Sequence, residues 1–193
     1  MTELANGLSA AEQYEDTLSV QEAELAMLRR VGTTEGNMLV AQNNLAFSHQ
    51  DNGRHEEALR MRREVYSGFL KFLGEEHEDT LRVANNYASS LAELQRFEEA
   101  KSLLRKMMPV ARRVLGESHG LSLGMRWFYA RLHHEDTTAT LANLREAVAT
   151  LEEIVPTARR VFGGEHPLAK GTAMSLQNAR AALRARETQS TSA

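Results

Sequence analysis

His133-His134-Glu135-Asp136 places four potential metal ligands in a row, and two imidazoles beside two carboxylates form a donor set that zinc accepts. Neighbouring side chains on a helix point in different directions, so at most two of the four can reach one ion, and a third ligand has to come from elsewhere. A solvated loop is the expected setting, with no metal. Three further histidines, His77, His119 and His166, recur at steps of 42 and 47 residues. They are spread along the chain and not gathered, which fits packing at helix starts and does not fit catalysis. The chain has no cysteine, so disulfides, thiolate metal sites and a cysteine nucleophile are all excluded. Phosphate-cradling, dinucleotide, nucleophile-elbow and zinc-protease motifs are missing as well. Neither an enzyme nor a bound cofactor is expected.

The composition restricts the partners. A net charge of -3 over 193 residues leaves no broad cationic surface for phosphates, which argues against nucleic acid and against an anionic membrane. No run of eighteen apolar residues occurs, and the acidic opening MTELANGLSAAEQYEDT lacks a basic stretch leading into an apolar one. Neither a membrane span nor a secretory signal is therefore predicted, and a cytoplasmic location is the default expectation. Apolar residues make up 42% of the chain and prolines number three. Ala, Leu, Glu and Arg dominate, residues that lose little on entering a helix, so an all-α fold is predicted.

The elements that must position any site come from internal repetition. Gly74-Glu75-Glu76-His77 recurs as Gly116-Glu117-Ser118-His119 and as Gly163-Gly164-Glu165-His166, each after a bulky apolar residue, and stepping back 42 from Gly74 reaches Gly32. Asn43-Asn44-Leu45-Ala46 matches Asn85-Asn86-Tyr87-Ala88, and Arg54-His55-Glu56-Glu57-Ala58 matches Arg96-Phe97-Glu98-Glu99-Ala100, both at 42 residues. Within a period, Leu81, Ala84, Ala88 and Leu91 fall at helical spacing. After a short polar break, Phe97, Ala100, Leu104, Met107 and Ala111 do so again. Each period is thus a pair of amphipathic helices joined by a tight turn such as Asp51-Asn52-Gly53.

The second helix of each pair is predicted to end on Gly32, Gly74, Gly116 or Gly163, the left-handed residue after a helix C-terminus, with Arg29-Arg30, Arg112-Arg113 and Arg159-Arg160 near the negative end of the dipole. Pro109 and Pro156 lie inside such helices, where proline costs about 3 kcal/mol and a kink is expected. The predicted organisation is a flexible segment 1–9, a half repeat 10–31, full repeats 32–73, 74–115 and 116–162, a half repeat 163–186 and a disordered tail 187–193.

NNLA followed by GRHEEA (43–46, 53–58), NNYA followed by RFEEA (85–88, 96–100) and the G-x-x-H junctions resemble the 42-residue tetratricopeptide repeats of kinesin light chain and its relatives. The resemblance covers roughly residues 32–180. It implies an all-α superhelix, a tetratricopeptide-type solenoid of about eight antiparallel helices, with the first helix of each pair lining a concave face. It also implies that this face holds an extended peptide of a partner protein, clamped by asparagines. An amide donates and accepts at once and so pairs with a peptide unit whatever its side chain.

By register, the peptide-binding candidates are Asn43, Asn44, Phe47 and Gln50 in the first repeat and Arg82, Asn85, Asn86 and Ser89 in the second, with Val40 and Glu93 as neighbours. The third repeat departs from the pattern. Trp127-Phe128 replaces the asparagine pair, and the region His133–Asn143 carries five extra residues. Trp127 with Arg126 and Arg131 either forms an aromatic and cationic wall or fills space opened by the insertion. Arg82, Arg126 and Arg131 against Glu93 and Asp51 favour acidic peptides slightly. A structural or oligomerisation role is the alternative: the stripe Leu18, Ala23, Leu25, Leu28 would let end helices pair with a second copy as a homodimer.

Overall fold

A computed structural model describes residues 2–191, with side chains described for residues 13–189. Eight helices follow one another among these residues: α1 (Thr2–Val31), α2 (Glu35–Asp51), α3 (His55–Leu73), α4 (Glu78–Glu93), α5 (Phe97–Leu115), α6 (Gly120–Glu135), α7 (Leu141–Phe162) and α8 (Pro167–Thr191). α1 begins at Thr2 and α8 ends at Thr191; Met1, Ser192 and Ala193 lie outside the described residues. The chain forms two compact units, Met1–Arg96 and Phe97–Ala193.

The junction motif has a local cause on each side. Gly32, Gly74, Gly116 and Gly163 have φ between +79° and +91°. Gly74 and Gly163 combine this with ψ of 170° and 157°, a region that only glycine occupies without strain. Each glycine N–H still closes the last turn, for example Gly74 to Leu70 O at 3.2 Å. Three residues on, the histidine starts the next helix. The Nδ1 atoms of His77, His119 and His166 accept the backbone N–H of Asp79, Leu121 and Leu168 at 3.2, 3.3 and 3.1 Å. An imidazole thus does the work of the usual Ser, Thr or Asp cap, satisfying one of the orphan donors of the first turn. α7 instead opens with a reciprocal capping box between Thr140 and Asn143.

Gly53 closes the first hairpin turn at φ +70°, and its register equivalent in the next repeat is Gln95 at φ +61°. That conformation costs a side-chain-bearing residue about 1–2 kcal/mol, held here by Arg96 N–H to Leu91 O at 2.8 Å. α5 and α7 continue as single helices through Pro109 and Pro156.

In the first unit, Leu18 and Leu25 of α1 bury against Ala41 and Leu45 of α2, and Leu39, Val65, Phe69 and Val83 join α2, α3 and α4. The stripe of α1 proposed for pairing with a second copy is therefore spent inside the unit. Leu18, Leu25 and Leu28 face α2, while Ala23 is exposed. In the second unit, Leu123 and Ala130 of α6, Ala147, Leu151 and Ile154 of α7 and Ala179 of α8 form one core, with Trp127 packed against it. Burying each of Leu123, Leu151 and Ile154 contributes about 1.5–3 kcal/mol. Among the described residues, no helix is long and apolar enough to cross a membrane.

Candidate functional site

In the first unit the candidate residues fall on facing stripes of α2 and α4. Asn43, Phe47 and Gln50 stand at i, i+4 and i+7 on α2, and Arg82, Asn85, Ser89 and Glu93 follow at steps of three or four residues on α4, so each set lies along one side of its helix. Gln50 Nε2 donates to Glu93 Oε1 across the two helices, and Glu93 Oε2 lies 3.4 Å from His55 Nδ1. Phe47, Val40, Asn44 and Arg82 are exposed, while Asn43, Asn85, Asn86 and Ser89 are half-buried.

The asparagines of the two repeats share one property. Asn43 Oδ1 and Asn85 Oδ1 are buried acceptors with no partner in the chain. A buried amide oxygen without a donor forfeits a hydrogen bond worth about 1 kcal/mol and carries its desolvation cost. The same cost appears at the same register position 42 residues apart. Asn44, Asn86 and Ser89 stand beside them on the same two helices.

Arg62 of α3 was not foreseen. Its register equivalents are Leu104 and Leu151, both fully buried, so the 42-residue pattern assigns an apolar residue there. Arg62 is only 2% exposed. It reaches between α2 and α4, where Nη1 donates to Asn86 O at 3.0 Å and to Ser90 Oγ at 2.9 Å, and the Phe47 ring lies over its guanidinium at 4.5 Å. Burial pushes its pKa down, and the charges of Glu93 and Asp51 pull it partly back. The signal in the sequence was a cation at a repeat position that should be apolar.

The arginines behind the expected acidic preference are all neutralised locally. Arg82 pairs with Glu78 at 2.7 Å and Asp79 at 2.8 Å on its own helix. Arg126 pairs with Glu153. Arg131 pairs with Glu135 at 3.1 Å and lies over the Phe128 ring at 4.9 Å.

Trp127 belongs to the second unit and is a packing residue. Its Nε1 donates to Ser175 Oγ of α8 at 2.8 Å, and its ring lies so close to Gly171 that a Cβ there would come within 2.5 Å of Cζ2. Phe128 is buried too.

The row His133–Asp136 is not a solvated loop. His133 and His134 lie in the last turn of α6, His133 is fully buried, and Asp136 is held by Lys101 Nζ at 3.0 Å and by Thr138 N at 2.9 Å. Lys101, itself 1% exposed, also pairs with Glu98. Among the described residues no cluster of three or more metal-ligating side chains occurs.

His133 has an edge-on contact with Tyr129, ring centroids 4.8 Å apart, and neither ring nitrogen has a hydrogen-bond partner. Burial, and then the nearby Lys101 charge, hold its pKa below the usual 6.5. Burial does the same for His134 and for His49. All three take up protons more readily unfolded than folded, so stability is highest above about pH 6.5 and falls as the pH drops below that value. Thermal melts at about pH 7.5 and about pH 5.5, on either side of that value, should show the loss. His133→Leu should shrink it while leaving the melt at the higher pH near its original position.

Residues 37–113 match a family model described as tetratricopeptide repeat. A search of curated proteins gives no match. Two crystal structures of a protein from Podosopora anserina, described as a kinesin light chain with nearly identical TPR-like repeats, one of them of a single-substitution variant, are similar in fold. The variant has 24% identity and a TM-score of 0.77, the other 24% and 0.76, and in both cases the alignment covers 96% of this chain and 86% of theirs. BtubC (BKLC) from P. vanneervenii aligns over 93% of this chain and 74% of its own, at 14% identity and a TM-score of 0.69. The chain therefore has an all-α tetratricopeptide-type repeat fold of the kinesin light chain-like kind, with the family's own sequence signature on residues 37–113.

Proposed function

We propose that the α2–α4 face of the first unit holds an extended segment of a partner protein. Tetratricopeptide repeats mediate protein–protein interaction, and the chemistry of this face narrows that to a peptide backbone. The observation that carries the reading is the pair of buried, unpartnered acceptors Asn43 Oδ1 and Asn85 Oδ1. An extended segment presents backbone N–H groups that neither a helix nor a sheet already uses, and each asparagine oxygen can accept one. Asn44, Gln50, Asn86 and Ser89 surround them with further polar groups, and Phe47 and Val40 supply exposed apolar surface for side chains. Trp127 and Arg131, committed within the second unit, are left out of this face. The setting in which such a module works is the cytoplasm, and the reading requires no catalysis and no cofactor.

An array of short random peptides tests this with the wild type and Asn43→Ala/Asn85→Ala. Neither oxygen has a partner within the chain, so the double variant should melt close to the wild type yet lose roughly tenfold or more in affinity for peptides of every sequence. Equal binding by the two proteins would remove the clamp assignment.

A further inference from the structure

We propose that Arg62 is a receptor for a carboxylate, an Asp or Glu side chain of the segment held on the α2–α4 face. The inference rests on the groove reading above and adds a chemical requirement to it. A guanidinium offers five N–H donors in a planar fork. Arg62 spends Nη1 on Asn86 O and Ser90 Oγ, while Nε and Nη2 remain buried without a partner. Those two nitrogens form one edge of the fork, the edge that matches the two oxygens of a carboxylate side-on.

Nothing in the unit fills that edge. Among the described residues no carboxylate is ion-paired to Arg62: Glu93 is held by Gln50 and His55, and Asp51 acts on Arg62 only through its field. A buried cation with three of its five donors unmet is costly, and replacing such a group by an apolar one is often neutral or stabilising. The repeat itself places leucine at this position in Leu104 and Leu151, so packing gives no reason for an arginine. The Phe47 ring stacked on the guanidinium is 41% exposed, and Asn43 stands one turn away from it on the same side of α2.

The experiment uses the full chain with ¹⁵N-labelled arginine and two small probes, N-acetyl-aspartate N-methylamide and its asparagine counterpart. The expected result is that the Arg62 Nε–H resonance moves on titration with the aspartate probe at millimolar concentrations and not with the asparagine one. In Arg62→Leu, which should fold because leucine is the repeat's own residue, that response disappears. In the peptide array, replacing every Asp and Glu by Asn and Gln should weaken binding to the wild type by roughly ten- to hundredfold and leave binding to Arg62→Leu unchanged. No movement of Arg62, or equal movement with both probes, overturns the proposal. Equal binding of acidic and amide peptides, combined with loss in Asn43→Ala/Asn85→Ala, overturns the carboxylate requirement and leaves the groove standing. Absence of any peptide binding removes the groove, while the two small probes still decide whether Arg62 takes a carboxylate.

Discussion

Lys101→Ala is expected to lower the stability of the chain by about 3–5 kcal/mol, the usual cost of removing one partner from a buried ion pair. The size of the effect follows from what is left behind. Asp136 is 7% exposed, and burial by itself would raise its pKa. Bonds from the Thr138 side chain, Lys101 Nζ and the Thr138 N–H outweigh that and keep it ionised. Lys101 behaves as the mirror image: burial would depress it, but its bonds to Glu98 and Asp136 leave it above the ordinary lysine value. The Lys101 contribution is therefore complete below the unfolded lysine pKa, and that of Asp136 is complete above the unfolded aspartate pKa, so the pair is at full strength across neutral pH. Urea unfolding at neutral pH of Lys101→Ala, Asp136→Leu and the double variant measures the cycle. The double variant should recover much of the single loss, because no charge is then stranded; a loss under about 1 kcal/mol in either single variant, the range of exposed pairs, would show the pair to be solvated.

Trp127→Ala is expected to cost about 3 kcal/mol, at the lower end for a large aromatic because the side chain is only partly buried. The ring supplies packing against the α6–α7–α8 core and the hydrogen bond to Ser175. Gly171 provides a sharper version of the test. In the wild type, Gly171→Ala forces a Cβ to 2.5 Å from the indole and should destabilise. Once Trp127 is alanine the clash is gone, and the same substitution should stabilise by up to about 1 kcal/mol through helix propensity. Thermal melts of the four proteins decide it, and a Gly171→Ala effect of the same sign in both backgrounds would mean that the indole does not seat against this glycine.

The repeat was legible because its determinants are local. Gly74 must be glycine for its backbone angles, His77 caps the turn that begins beside it, and the apolar spacing of α4 sets which side it buries. Each of these acts within a few residues, so each leaves a mark at a fixed step in the chain. The asparagine candidates were legible in the same way, since Asn43 and Asn85 repeat with the period. Sequence reasoning failed where a residue's meaning depends on what faces it. His133–Asp136 reads as a polar loop when Lys101, 35 residues before Asp136, is out of view, and Trp127 reads equally as a groove wall or a space-filler while Gly171 and Ser175 are out of view. Arg82 reads as an available cation, although Glu78 and Asp79 one turn away already claim it.

The period, the number of helices and the junctions between them were thus set by the sequence alone, because hydrogen-bonded turns and helical periodicity are written in short-range spacing. Only the tertiary structure decided which polar groups are spent and which remain unmet. Burial and pairing are set by elements brought together from distant parts of the chain, and it is this that separates the neutralised Arg82, Arg126 and Arg131 from Arg62, whose Nε and Nη2 have no partner.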